Sequence, residues 1–226
     1  MSRFQVPYET GLDEEESRTN EQSRPVVSRP VHAAADESKT ESRIMSAKQS
    51  RYVAFLRGIN LGKRRATKDE LCSAFESAGF QDVDSFLASG NVIFDATPKS
   101  SAAFEARIEE TLLKQFGFEV DTFVRSMSAL EELAATNPVV EADRLGWNLH
   151  VFFLKDDAPS TANRAFKEIE TADDKFAVIG REAYWLRNGR MTDSAVSQKD
   201  ISDALGKRTN TARNYNTVER IVAKYA

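Results

Sequence analysis

The sequence predicts an α+β fold made of two βαββαβ-type halves, the second of them irregular, followed by a C-terminal helix. Short apolar strands and amphipathic helices follow one another in that order, once completely and once in part. Hydrophobic residues make up 41% of the chain and include 14 phenylalanines, which is enough apolar surface for packed cores. Because the βαββαβ order is the split βαβ unit, we expect each half to be ferredoxin-like.

The elements of the first half are bounded by clear signals. Thr67 and Glu70 have the spacing of a capping box at the start of the first helix, and Gly79 ends that helix. The second helix carries an apolar stripe at intervals of four from Phe104 to Phe116. The predicted elements are a strand at 52–56, a helix at 67–78, strands at 83–88 and 91–95 joined by a tight turn at Ser89-Gly90, a helix closed by Gly117, and a strand at 118–125.

The second half partly repeats this order. Ser128 and Glu131 predict a capping box for a helix that stops at Asn137-Pro138. Asn216 or Thr217 is predicted to cap the last helix. The other predicted elements are a strand at 147–154, a helix at 160–169, a hairpin of 176–179 and 184–187 across Gly180, a short helix at 199–205 and a last helix at 217–225. The final strand of this unit is therefore predicted to be missing or replaced.

The predicted domain organisation has three parts. Residues 1–50 form a disordered N-terminal extension, because residues 1–44 are rich in charged residues, Ser and Thr and show no helical or strand periodicity. Residues 51–126 form a ferredoxin-like domain, and residues 127–226 a second α+β ferredoxin-like domain with a C-terminal helical segment. Met45 precedes the first strand, so we hypothesise that the biological chain starts there. An intact mass of the endogenous protein that includes the upstream residues would contradict this hypothesis.

Composition narrows the range of functions. The net charge is −4, from 31 Lys and Arg against 35 Asp and Glu, so no strong basic field marks a nucleic-acid binder. The single cysteine, Cys72, excludes an intrachain disulfide, and His32 and His150 form no zinc-ligand pattern, so we predict no metal and no cofactor. No stretch approaches the roughly 18 apolar residues of a membrane span, and residues 1–44 lack a signal-peptide core. The chain is expected to be cytoplasmic and to have no membrane partner.

The loop from Gly58 to Arg65 is a candidate anion site. It leads to the N-terminus of the first helix, where free N–H groups and the helix dipole favour an anion, and Lys63, Arg64 and Arg65 add positive charge. It lacks the glycine spacing and the Ser or Thr after the lysine of a phosphate loop, so we reject a nucleotide-triphosphatase. Glycines that turn the chain beside solvated basic residues would explain the same pattern.

Two further segments contain candidate ligand-binding residues. Ser89-Gly90-Asn91 is also explained by hairpin-turn chemistry alone. Residues 207–217 contain three basic residues, three asparagines and no acid, and an arginine flanked by amides suits phosphate, carboxylate or a base edge. A buried network joining this tail to the first domain would need the same groups. The candidate ligand-binding residues are Arg57, Asn60, Lys63, Ser89, Asn91, Arg213, Asn214 and Asn216.

Three separated segments resemble the signatures of a known family. They are YVAFLRGIN at 52–60, FLASGNVIF at 86–94 and TARNYNT at 211–217. In this order they resemble the domain of unknown function 1697 family, over about residues 51–225. The resemblance implies a two-domain α+β protein with ferredoxin-like halves, often bacterial and cytoplasmic, with no established activity. The basic residues after Gly62, and Tyr215 where tryptophan is common, depart from the family pattern and alter the charge of the site.

These observations favour a protein that binds a small anionic or nucleotide-like ligand in a cleft between its halves. One alternative is single-stranded nucleic-acid binding on a sheet face, although the strand at 91–94 lacks the paired exposed aromatics of an RNA-recognition motif. The other is a scaffold or interaction protein in which the Arg and Asn residues are structural. The sequence assigns no catalytic residue, ligand identity or oligomeric state. A shared site requires that Arg57 and Arg213 approach each other across the domain junction.

Overall fold

The computed structural model describes residues 48–62, 64–136 and 146–226. Most of the predicted N-terminal extension, the predicted helix stop at Asn137-Pro138 and the candidate residue Lys63 lie outside these ranges. Within them, no helix is both long enough and apolar enough to cross a membrane.

The described chain contains eight β-strands and six α-helices. In chain order they are β1 (Ser50–Leu56), α1 (Lys68–Ser77), β2 (Gln81–Phe86), β3 (Asn91–Ala96), α2 (Ser101–Phe116), β4 (Thr122–Ser126), α3 (Met127–Ala135), β5 (Trp147–Leu154), α4 (Ala162–Ile169), β6 (Asp174–Ile179), β7 (Glu182–Asn188), α5 (Gln198–Ala204), β8 (Asn210–Asn214) and α6 (Tyr215–Tyr225). They form two antiparallel sheets, ordered β2-β3-β1-β4 and β6-β7-β5-β8. The prediction of an α+β fold with two ferredoxin-like halves and a C-terminal helix is confirmed.

One face of the first sheet packs against α1 and α2. The predicted capping box of Thr67 and Glu70 is present at the start of α1. The stripe of α2 contributes Phe104 to an aromatic cluster with Phe94. Gly117 ends α2 with a φ of 74°, as the helix-stop signal predicts. Local signals therefore account for the helical layer of this half.

The second half contains the final strand that the sequence analysis expected to be missing or replaced. β8 pairs antiparallel with β5, with Arg213 opposite Val151. Its pattern is hard to recognise because Thr211 and Arg213 are polar but buried, whereas strands are usually identified by buried apolar residues. Both halves are complete βαββαβ units.

Two predicted helix caps are wrong, and each helix begins earlier than expected. Ser126, not Ser128, caps α3, since its extended backbone at the end of β4 brings its hydroxyl to the N–H of Ala129. Asn214, rather than Asn216 or Thr217, caps α6 by accepting a hydrogen bond from the N–H of Asn216. Each cap ends a β-strand and begins a helix without an intervening loop. Buried packing of the first residue of each helix favours this early start.

The β2–β3 connection is a four-residue turn over 87–90 and not the predicted two-residue turn. β2 ends at Phe86, and Leu87 and Gly90 adopt positive φ values of 62° and 75°. The side-chain amide of Asn91 donates to the carbonyl of Phe86 and to the hydroxyl oxygen of Ser89, which closes the turn. β4 is likewise shorter than the predicted strand at 118–125, because it begins only at Thr122.

The second face of each sheet packs into one core shared by both halves. Side chains alternate along β1 and β5, so Phe55 and Phe153 lie on this shared side. Their rings stack with centroids 4.1 Å apart and an interplanar angle of 8°. α3 and α6 complete the core through residues such as Leu130 and Val218. The halves are therefore joined by a buried apolar layer that covers both inner sheet faces.

Candidate functional site

The end of β1 and the C-terminal strand β8 meet at one cleft, which the shared-site hypothesis requires. Arg213 Nη2 donates to the carbonyl of Leu56 at 2.9 Å and to that of Ser89 at 2.9 Å. The cleft has a volume of about 380 Å³. Both halves line it, through Leu56, Arg57, Gly58, Ile59, Asn60, Leu61, Ala88, Ser89, Phe152, Met191, Gln198, Asn210, Thr211, Ala212 and Arg213.

Arg213 is the centre of a buried hydrogen-bond network. Its side chain crosses from β8 to the first half, and the residue is only 7% exposed. Six acceptors surround it: Asn91 Oδ1, Thr211 Oγ1 and the carbonyls of Leu56, Ser89, Gly90 and Ala212. A guanidinium has five N–H donors, so every donor has an acceptor. The network ties the ends of the two halves together.

The charge of Arg213 is not neutralised by the protein. All six of its hydrogen-bond acceptors are neutral, and no carboxylate of the described residues forms an ion pair with it. Burial lowers the pKa of Arg213 to about 10, because desolvation disfavours the charged form. The side chain still carries its proton at neutral pH. A buried positive charge therefore lies beside the cleft without a counterion among the described residues.

Arg125 occupies the equivalent position in the other half, but its Nε has a charged acceptor and its Nη1 has no counterpart of Thr211 Oγ1. Its Nη2 donates to the carbonyl of Leu154 at 2.7 Å, and its guanidinium lies 5.4 Å from the ring of Phe153. Its Nε, however, donates to a carboxylate oxygen of Glu182 at 2.6 Å. Arg125 is thus a buried cation with an acidic partner.

Strand register shows that the two arginines correspond. Arg125 pairs with Val53 on β1, three residues before Leu56, and Arg213 pairs with Val151 on β5, three residues before Leu154. The Arg213 guanidinium also lies 5.5 Å from the centre of the Phe55 ring. The corresponding distance from Arg125 to the Phe153 ring is 5.4 Å.

The residues that accept a hydrogen bond from Nε of Arg213 and from Nε of Arg125 also occupy equivalent positions in the two sheets. Asn91 is opposite Phe55 at the start of β3, and Glu182 is opposite Phe153 at the start of β7. The two halves thus repeat one arrangement, except that an amide stands at 91 where a carboxylate stands at 182.

Four of the eight candidate residues line the cleft. These are Arg57, Asn60, Ser89 and Arg213. Arg57 Nη1 is paired with Asp121 at 3.0 Å, so its charge is balanced by an acid that does not line the cleft. Asn60 accepts from the N–H of Ala66 and donates to the carbonyl of Ala88, which holds the loop against the β2–β3 turn. The hydroxyl oxygen of Ser89 accepts from Asn91.

Three other candidate residues do not line the cleft. Asn91 is 0% exposed and lies behind Arg213 as its hydrogen-bond partner. Asn214 caps α6, and Asn216 is an exposed residue in the first turn of that helix. The remaining candidate, Lys63, lies outside the described residues.

The basic loop does not direct its arginines into the cleft. The Arg64 guanidinium lies 4.8 Å from the Phe118 ring and donates to the carbonyl of Glu119. Arg65 donates to carbonyls of its own loop. At the N-terminus of α1, the Glu70 carboxylate accepts from the N–H and the hydroxyl of Thr67. The helix end therefore already has an internal anion, and the cleft forms at the opposite end of the loop.

Sequence reasoning missed the wall contributed by the second half. Phe152, Met191, Gln198 and Asn210 line the cleft but belong to separate elements of that half. It also missed Arg125. A repeated signal could have found it, because in both halves an arginine is followed by a helix-capping residue at the end of the last strand.

His150 and Cys72, which the sequence analysis considered as a possible metal ligand and a possible disulfide partner, do not line the cleft. His150 lies on β5, and burial lowers its pKa; its Nδ1 has no hydrogen-bond partner among the described residues. Cys72 lies on α1, and burial raises the pKa of its thiol, which disfavours the nucleophilic thiolate.

Substituting Gly90 with alanine is expected to destabilise the turn under Arg213 by about 1–3 kcal/mol. A Cβ there would meet Ile59 Cγ2 at 2.7 Å and Leu56 Cβ at 3.1 Å, and the φ of +75° is unfavourable for alanine. Urea denaturation measures the loss. Gly62→Ala is the matched control, because Gly62 has a φ of +60° and no atom within 4 Å of the added Cβ. Equal losses for the two variants would mean that close packing at Gly90 contributes nothing.

The fold and the site define an α+β protein of two ferredoxin-like halves with a basic cleft at their junction. The chain belongs to the family described as "Protein of unknown function (DUF1697)", whose model matches residues 49–184. That range includes Arg57 and Asn91 and ends before Arg213.

Comparison with solved structures supports the same fold. The conserved bacterial protein SP0830 from Streptococcus pneumoniae is similar, with a TM-score of 0.58 and 21% sequence identity. The match covers 78% of this chain and 98% of that chain. The chain matches no functionally curated protein.

Proposed function

We propose that this protein binds a small anionic or nucleotide-like compound in the cleft beside Arg213. The observation that carries the proposal is the contrast between Arg213 and Arg125, which occupy equivalent positions. Arg125 is neutralised by Glu182, whereas the equivalent acceptor for Arg213 is the neutral side chain of Asn91. A buried charge normally has a counterion, and an anionic ligand in the cleft would supply it.

The electrostatic attraction between Arg213 and an anion in the cleft is large enough to contribute to the binding free energy. At an effective dielectric constant of about 20, a unit anion roughly 5–8 Å from the guanidinium gains about 2–3 kcal/mol. All donors of Arg213 are already used within the protein, so the arginine would act mainly through its charge. Direct hydrogen bonds would come from other cleft residues.

Several polar groups of the cleft are free to bind such an anion. In the part of the chain that the structure describes, the Ser89 hydroxyl has no acceptor for its proton. The backbone N–H groups of Gly58 and Ile59 likewise donate to no acceptor among those residues. Ile59 is only 2% exposed, and buried N–H groups normally have a partner. These donors suit a phosphate or a carboxylate.

Asn91→Asp tests the proposal by creating the charge balance that already exists at Arg125. We expect phosphate, adenosine monophosphate or citrate at tenfold its Kd to raise the Tm of the native protein by about 3–6 °C. In Asn91→Asp this shift should largely disappear, because the new carboxylate neutralises Arg213. The substitution also removes the amide that donates to the carbonyl of Phe86, so the shift of each variant is measured against its own ligand-free Tm. Differential scanning fluorimetry at constant ionic strength measures the shift, with adenosine as the neutral ligand control.

Asn216→Asp is the matched control. It makes the same chemical change at an exposed residue outside the cleft, so the anion response should persist. If no anion stabilises the native protein, or if both aspartate variants respond as the native protein does, the proposal is wrong.

A scaffold role for the arginine network is the second candidate. The observation that favours it is the complete hydrogen bonding of Arg213, which a purely structural brace would also need. Under this alternative, variants at Arg213 lose stability but no anion changes Tm. Single-stranded nucleic-acid binding receives no support, because a sheet-face site needs exposed strands and Phe55 and Ile93 are buried in the shared core.

A further inference from the structure

Leu61 is an exposed apolar residue at the mouth of the cleft. It is 71% exposed, the largest value among the exposed large hydrophobic residues of the described chain. It lies between Gly58 and Gly62, which have φ values of +67° and +60°. Its own N–H makes only a long hydrogen bond of 3.4 Å to the carbonyl of Gly58. The fold thus presents a leucine to solvent next to the candidate site, on a loop that the side chain of Asn60 holds in place.

The cleft walls beside Leu61 are also apolar. Of the other apolar lining residues, Ala88 is exposed and Met191 is half-buried, whereas Ile59 and Phe152 are almost completely buried. Two amide side chains of the second half line the cleft, Asn210 and Gln198. Asn210 uses one of its two amide N–H groups on the carbonyl of Arg208, so each residue keeps an N–H without an acceptor among the described residues. A ligand that only satisfied polar groups would leave the accessible apolar surfaces of Leu61, Ala88 and Met191 in contact with water.

We propose that the ligand is an amphipathic anion: a phosphate or carboxylate attached to an apolar group of about the size of an aromatic ring. The proposal rests on the proposed function and specifies its ligand class. The oxyanion lies on the side of Arg213 and Ser89, and the apolar group contacts Leu61 and Met191.

Size and chemistry together select this class. The cleft volume of about 380 Å³ is near the lower end of small-molecule sites, so a large ligand such as a dinucleotide would extend beyond it. A fully hydroxylated sugar phosphate would bring hydroxyl groups against Leu61 and Met191, where they would lose hydrogen bonds to water. An inorganic anion would leave Leu61 exposed and gain nothing from the apolar walls.

Matched pairs of anions test the inference. Phenyl phosphate and inorganic phosphate share the oxyanion and differ in the apolar group, as do benzoate and acetate. We expect the aromatic member of each pair to bind at least about tenfold more tightly in isothermal titration calorimetry with the full chain. Glucose 6-phosphate should bind no more tightly than inorganic phosphate.

The Leu61→Ser variant tests whether Leu61 provides the apolar contact with the ligand. It should weaken phenyl phosphate by about three- to tenfold and leave inorganic phosphate unchanged, because only the apolar contact is removed. Leu113→Ser makes the same change at a 44% exposed residue on α2, outside the cleft, and should change neither affinity.

The outcomes separate this inference from the proposed function. Equal affinities within each pair, or tighter binding of glucose 6-phosphate, would overturn the amphipathic ligand while leaving anion binding intact. Phenyl phosphate affinity that is the same in the native protein and in Leu61→Ser would also overturn it. Binding of no anion at all would remove the proposed function, and this inference with it.

Discussion

Arg213→Ala is expected to lower the free energy of unfolding of the ligand-free protein by about 3–5 kcal/mol. The substitution leaves the carbonyl of Leu56 and Oδ1 of Asn91 in a buried environment without their main donor. It also removes the contact of the guanidinium with the Phe55 ring. Urea denaturation without added anions measures the loss, and the stabilisation by anions should vanish in the same variant.

Two control variants provide reference values for the loss of stability in Arg213→Ala. Arg125→Ala removes the equivalent arginine and should cost a similar amount, because it leaves the Glu182 carboxylate partly buried without its cation. Asn216→Ala alters an exposed candidate residue and should change stability by less than about 0.5 kcal/mol. An unchanged urea midpoint for Arg213→Ala would show that the network contributes no net stability.

Phe55→Ala should cost about 3–5 kcal/mol as well, through a different mechanism. Phe55 is fully buried, its ring stacks on Phe153 at 4.1 Å, and it lies beneath the Arg213 guanidinium. Alanine leaves a cavity in the core that both halves share. Denaturation of both single variants and of the double variant with Phe153→Ala should give a coupling energy of about 0.5–1.5 kcal/mol.

The shape of the unfolding transition is the second readout of that experiment. Because both halves contribute to the shared core, we expect one cooperative transition by fluorescence and circular dichroism in the native protein and in Phe55→Ala. Two separated transitions would contradict this expectation and show that the halves unfold independently. The division into domains at residues 126 and 127 stays a prediction until such data exist.

Local chemistry made much of the fold predictable. The stripe ending at Phe116 and the glycine after it define α2, and Thr67 with Glu70 defines the start of α1, because caps and periodicity act over a few residues. Ser126 and Asn214 were harder to assign, since several Ser and Asn residues compete within three positions and only packing selects one. Similar ambiguity affected the β2–β3 turn, where the side chain of Asn91 sets the loop length.

The candidate site was predictable only in part. Arg57, Asn60 and Ser89 were recognised as candidates and do line the cleft, because loops at strand ends are where side chains are free to bind. Asn91 and Asn214 have the same residue type but act within the protein, one as the partner of Arg213 and the other as a helix cap. Residue type alone does not distinguish these roles, since an amide suits both.

The sequence by itself determined the α+β class, the order of most elements and the polar character of the segments around Arg57 and Arg213, because these depend on neighbours along the chain. Only the tertiary structure decided that Arg213 lies beside Asn91, that Arg125 is its counterpart, and that Arg125 has an acid partner while Arg213 has none among the described residues. Those relations join residues more than 50 positions apart. They arise from the packing of one half against the other, which no local pattern encodes.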